Sequence, residues 1–163
     1  MARLPIGSIN RAFKKALTEP IVSLYHYNGC GYFDGGCLLL ADALVLWSQG
    51  DMKIGGFSRL SWIDQGVDHW FVKLNVAGKE FLIDANALQT EKAFTRYWLY
   101  DELLGEDFVI LENPVHRVES TVPRDAVFSA LIAGQIAEKL GDYQQWRGSI
   151  EELLKPDETC KMR

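Results

Sequence analysis

The chain has 163 residues, a formal net charge of −5, and 48% hydrophobic against 24% charged residues. That length favours one domain, residues 1–163, with apolar content sufficient for a core, so disorder is not expected outside the ends. No Lys/Arg-rich run is present, so no nucleic-acid partner is expected.

In chain order, Ser8 is placed to cap a first helix with Ile9, Phe13, Ala16 and Leu17 on one face, and Glu19-Pro20 ends it. The first residues, MARLPIGSINRAFKK, contain no apolar h-region, so no secretory signal is expected. Ile21 to Tyr27 reads as extended, and Asn28 to Gly36 as a turn with four glycines in nine residues. Leu38 to Trp47 reads as a helix buried on most sides, with Gly50 as its stop; its all-round apolarity places it in the centre of the fold. Met52 to Ile63 is extended with a loop. Asp68 to Asn75 and Lys79 to Asp84 form the clearest hairpin, with "NVAG" between them. Thr90 caps a helix running to about Leu104, which Gly105 ends. Phe108 to Leu111 is a short strand. Pro123 begins a long helix to Leu140, stopped by Gly141, and a last helix covers Tyr143 to Leu154. The order of helices and strands is α+β rather than alternating βαβ. A core of about residues 20–112 would carry a helical part of about 121–155. The longest apolar stretch, Ala126 to Ala137, is too short for a membrane span, so no membrane partner is expected.

The three cysteines, Cys30, Cys37 and Cys160, are odd in number and irregularly spaced, which argues against a disulfide framework and for a reducing cytoplasm. A signal-free export route is also compatible with these features. Cys37 stands at the expected start of the apolar helix, behind Gly35 and Gly36. Unpaired N–H groups and the positive end of the helix dipole stabilise a thiolate there. The alternative is a packed core cysteine, since free cysteine is among the most buried residue types.

His69 opens the first strand of the hairpin and Asp84 closes the second. A two-residue turn at Val76-Ala77 sets them directly opposite. A turn at Ala77-Gly78 sets His69 opposite Asn86, with Asp84 one diagonal step away. Side chains alternate with period two, so both registers put the pair on one face. A carboxylate at that range holds one imidazole nitrogen and leaves the other as a base. The alternative is a surface His–Asp pair of little consequence, but the apolar neighbours Trp70, Phe71, Leu82 and Ile83 argue for burial. A helix-capping thiol, then a strand histidine, then an acid is the order used in cysteine-based acyl transfer.

On these residues the chain resembles a known group. "GGCLLLA" fits the G-x-C-x-x-x-A pattern at the nucleophile of transglutaminase-like proteins, and "HWFVKLNVAGKEFLIDA" is similar to that family's second motif. The order is also that of the wider papain-like group, which includes the NlpC/P60 proteins, and "CGYFDGGCLLLADAL" resembles small bacterial and phage proteins of this arrangement. The likeness spans Asn28 to Ala87, with 32 residues from Cys37 to His69 and 15 from His69 to Asp84. It departs after the aspartate, where Ala85-Asn86 stands in place of a Pro-Thr type turn. The resemblance implies Cys37 as nucleophile, His69 as base and Asp84 as orienting acid. It also implies a papain-like or transglutaminase-like core, a central helix packed on an antiparallel sheet with extra C-terminal helices.

An oxyanion donor is needed as well. The Cys37 backbone N–H is one, with Asn28 and Tyr32 as side-chain candidates; turn formation is their plainer role. Gly36 clears space beside the thiol, and Trp70 is expected to wall the cleft beside His69. Cys30 and Cys37 lack the C-x-x-C spacing of a metal site, so no metal or other cofactor is expected. His26 and His116 have no evident partner, Asp34 reads as a turn residue, and Cys160 as a bystander in the polar tail. The expectation is thiol hydrolysis or acyl transfer at an amide or isopeptide bond of a protein or peptide substrate. Protease, deamidase, transglutaminase and peptidoglycan-peptide amidase chemistry share that first step. The alternative is a non-catalytic binding module, of inhibitor or immunity type, with a vestigial triad; a helical interaction module is a third reading.

Overall fold

A computed structural model describes residues 6–18, 36–64, 66–111, 114 and 125–155. Five α-helices and one five-stranded antiparallel sheet are present among them, so the fold is α+β.

Helix α1 (Ile6–Thr18) buries Ile9, Phe13, Ala16 and Leu17, the face that the 3.6-residue period marks out. Helix α2 (Cys37–Trp47) is apolar nearly all round because it is enclosed: it packs against both the sheet and the later helix α4 (Ala126–Leu140). Gly50, at φ +84°, ends it with an N–H bond to the Val45 carbonyl.

The strands are β1 (Lys53–Arg59), β2 (His69–Val76), β3 (Lys79–Asp84), β4 (Ala87–Gln89) and β5 (Phe108–Leu111), in the spatial order β4-β3-β2-β1-β5. Alternation sends Trp70, Val72, Leu74 and Val76 of β2 into a core shared with α1, α2, α4 and the last helix α5 (Tyr143–Leu154). The other face carries Phe57, Phe71 and Leu82 into a second cluster, closed by Phe94 and Trp98. Phe94 belongs to α3 (Glu91–Tyr97), and Trp98 opens a single π-helical turn, Trp98–Glu102. That turn interrupts the helix expected to run from Thr90 to Leu104.

Several ends follow from their caps. Thr90 Oγ1 accepts the Ala93 N–H at the start of α3, and Asp142 accepts from Gln144 and Gln145 at the start of α5. Helix α4 begins at Ala126 under an Asp125 cap that accepts from Val127 and Phe128; the expected start at Pro123 lies outside the described residues. The extended stretch and glycine-rich turn expected over 21–35, with Cys30, Asp34 and His26, also lie outside them, as do His116 and Cys160. No helix among the described residues is long and apolar enough to cross a membrane.

Candidate functional site

The hairpin register positions the histidine. Strands β2 and β3 pair from Val72↔Ile83 to Val76↔Lys79. The turn is therefore Ala77-Gly78, and both residues have positive φ, 51° and 77°, as a type I′ turn requires. Of the two registers open to the sequence, this is the one that sets Asp84 diagonally from His69. The β2–β3 ladder stops at Val72 while β2 continues back to His69. Cys37 enters from α2 near this end of the strand, where the Trp70 backbone N–H reaches its sulfur.

His69 Nε2 and Asp84 Oδ2 are 3.2 Å apart, and both side chains are buried. A carboxylate only accepts, so Nε2 carries the hydrogen and Nδ1 is the nitrogen left to serve the thiol. Asp84 is held on every side. Its Oδ2 also accepts from the Trp98 indole N–H at 3.1 Å, while Oδ1 accepts from the Asn86 backbone N–H at 2.8 Å and Gln89 Nε2 at 3.2 Å. The imidazole lies in an aromatic box, with ring centroids 4.1 Å from Trp98, 5.5 Å from Phe57 and 6.5 Å from Phe94.

The electrostatics couple the thiol and the imidazole. Burial pushes the Cys37 thiol up, but the hydrogen bond and charge of His69, with the backbone N–H groups of Trp70 and Leu38, outweigh it and leave the thiol below its usual range. Burial pulls His69 down; Asp84 and Cys37 overcome this and hold it raised to about 8. Each shift favours the charged form of its group, the direction a thiolate–imidazolium pair requires.

The fold thus brings together the three residues singled out for chemistry. Relative exposure is 5% for Cys37, 1% for His69 and 2% for Asp84, so the series is closed to solvent along its length. Gly36 is the buried N-cap of α2, and its carbonyl accepts the Leu40 N–H. Trp70 corrects an expectation. Its side chain lies on the sheet face opposite His69, inside the first core, and it meets Cys37 through its backbone N–H instead of walling a cleft with its ring. The donor candidates Asn28 and Tyr32 lie outside the described residues.

Sequence reasoning missed Trp98 and Gln89, which hold Asp84 from sites 14 and 5 residues away. Neither spacing is a local motif. The Asn86 N–H contact was missed as well, although it has a local signal, since an aspartate commonly accepts from the N–H two residues on. A groove lined by Leu46, Trp47, Ala133 and Tyr143 sits at the far end of α2 from the thiol. Among the described residues no group of His, Cys, Asp and Glu side chains is arranged to hold a metal ion. The chain has no match among family models, curated proteins or solved structures.

Proposed function

We propose that the α+β fold is a papain-like or transglutaminase-like core and that the protein performs cysteine-dependent acyl transfer or hydrolysis at an amide or isopeptide bond. The observation that carries this reading is the buried series in which Asp84 holds His69 and His69 acts on the thiol of a helix-start cysteine.

Cys37 thiolate attacks the carbonyl carbon, and the carbonyl electrons move to oxygen. The Cys37 N–H at the helix start is the candidate donor for that negative charge, while the Leu38 N–H supports the thiolate. On collapse, the His69 imidazolium gives its proton to the leaving amine, and a thioester forms on Cys37. Neutral His69 then takes a proton from water or an acceptor amine, which attacks the thioester and restores the thiol. Asp84 keeps the tautomer and ring orientation through Nε2. A protein or peptide is the expected substrate, since amide and isopeptide bonds of this kind are found there.

The test is alkylation of Cys37 by iodoacetamide at pH 6 in the folded protein. An unperturbed thiol is less than about 1% ionised there. Rapid labelling that falls about tenfold or more in His69→Ala supports the reading. Labelling of Cys37 only after unfolding would refute it.

The closure of Cys37, at 5% exposure, favours a second reading: a non-catalytic binding module that keeps the series as a structural core. On that reading Cys37→Ala leaves partner binding intact and Cys37 does not label in the native state. Attack on a substrate needs the thiol uncovered, so native-state labelling separates the two readings directly.

A further inference from the structure

Five of the ten large apolar side chains left exposed among the described residues fall on two segments that are bonded to each other. Leu60, Trp62 and Ile63 follow β1, and Tyr100 and Leu104 lie on and just past the π-helical turn. The two segments are stitched together: the Leu60 N–H donates to the Asp107 carbonyl at 3.0 Å, Ser61 Oγ to Glu106, and Arg59 pairs with Glu106 at 3.6 Å. Leu104 combines two local costs. Its side chain is 88% exposed, and its backbone sits at φ +52°, a region that a leucine rarely adopts. Residues 60–68 and 98–107 contain six Asp or Glu and no Lys or Arg. Arg59, at the edge of the first segment, is taken up by Asp68 at 2.9 Å and Glu106, and lies 5.1 Å from the Trp62 ring centre. The patch joins the candidate site at both ends: Asp68 precedes His69, and Trp98, which holds Asp84, opens the turn that bears Tyr100.

We infer that this surface docks a protein segment whose apolar side chains are flanked by lysine or arginine, and that the segment belongs to the substrate. Calling the partner a substrate rests on the acyl-transfer reading. The apolar centre supplies the contact area, and the carboxylate rim selects a basic flank and repels an acidic one. The element that carries Tyr100 and leads to Leu104 begins at the tryptophan under His69. A segment seated there lies toward the His69–Asp84 end of the series.

The test uses the full chain with Cys37→Ala, which removes covalent capture. Binding of a model peptide built from leucine and lysine is measured by calorimetry against one built from leucine and glutamate. The lysine peptide is expected to bind at least about tenfold tighter, and its affinity to fall as salt rises. Leu104→Gly is expected to weaken binding at least fivefold while raising the melting temperature, because glycine is at ease at positive φ. Trp62→Ser is expected to weaken it similarly without loss of fold. Equal affinity for the two peptides, no binding of either, or binding that Leu104→Gly leaves unchanged overturns the inference. Cys37 labelling in the Leu104→Gly chain reads the other question. An unreactive thiol with peptide selectivity intact removes the catalytic reading and leaves the docking surface standing as that of a binding module.

Discussion

Asp84 Oδ2 is shared between two donors, His69 Nε2 and the Trp98 indole, and the Trp98 ring also lies under the imidazole. This makes Trp98 a positioning residue with two separable effects. Its N–H draws on the negative charge that holds the imidazolium, whereas its ring face stabilises that cation. The sign for the pair follows from the shifts: His69 is raised, so its protonated form persists up to about 8, and Cys37 is lowered, so its thiolate persists below the usual thiol range. On the proposed acyl-transfer reading, the rate is therefore expected to fall on the alkaline side near pH 8, where His69 would lose the proton it gives to the leaving amine. Trp98→Phe, which keeps a ring and removes the N–H, is expected to move this limb up; Trp98→Ala is expected to move it down. Proton NMR of the His69 ring reads the same titration without a substrate, and shifts of one sign in both variants would contradict the division of roles. Asp84→Asn is expected to lower the titration and cost about 100-fold or more in rate.

Among the elements, β1 shows what a pattern reading of the sequence leaves out. Its Gly55-Gly56 pair lies in a buried strand at the middle of the ladder, inside the stretch expected to be extended, and nothing local marks which strand it faces. Gly55 faces Phe71 across the pair, and a Cβ built there would come 2.5 Å from the Phe71 ring. That ring is wedged against Phe94, 4.8 Å away, and has nowhere to swing. Gly55→Ala is expected to destabilise by about 1–3 kcal/mol in urea titration. Gly134, inside α4 with open space around it, is the contrast: Gly134→Ala is expected to stabilise by about 0.5–1 kcal/mol. The helices and the hairpin were legible because their signals are local: the face of α1, the Thr90 cap, the Gly141 stop, and the two apolar runs about a four-residue link. Strand β4 was not, since three residues, Ala87–Gln89, carry no periodicity and owe their form to pairing with β3.

For the whole molecule, α2 joins what the sequence keeps apart. Its apolar body is clamped between the sheet and α4, with Ser129 Oγ donating to the Leu39 carbonyl at 3.4 Å, and its first residue delivers the thiol. Leu44 is wholly buried in that body, and Leu44→Ala is expected to cost about 2–5 kcal/mol, read as a lower denaturant midpoint. Periodicity, capping residues and turn chemistry act over a few neighbours, so the sequence by itself determined the α+β class, most element positions and the shared face of His69 and Asp84. Which hairpin register applies, where Trp98 and Gln89 meet Asp84, and that Trp70 serves through its backbone depended on contacts between distant segments. Only tertiary packing decides such contacts, because no local signal specifies which far residue fills a given space.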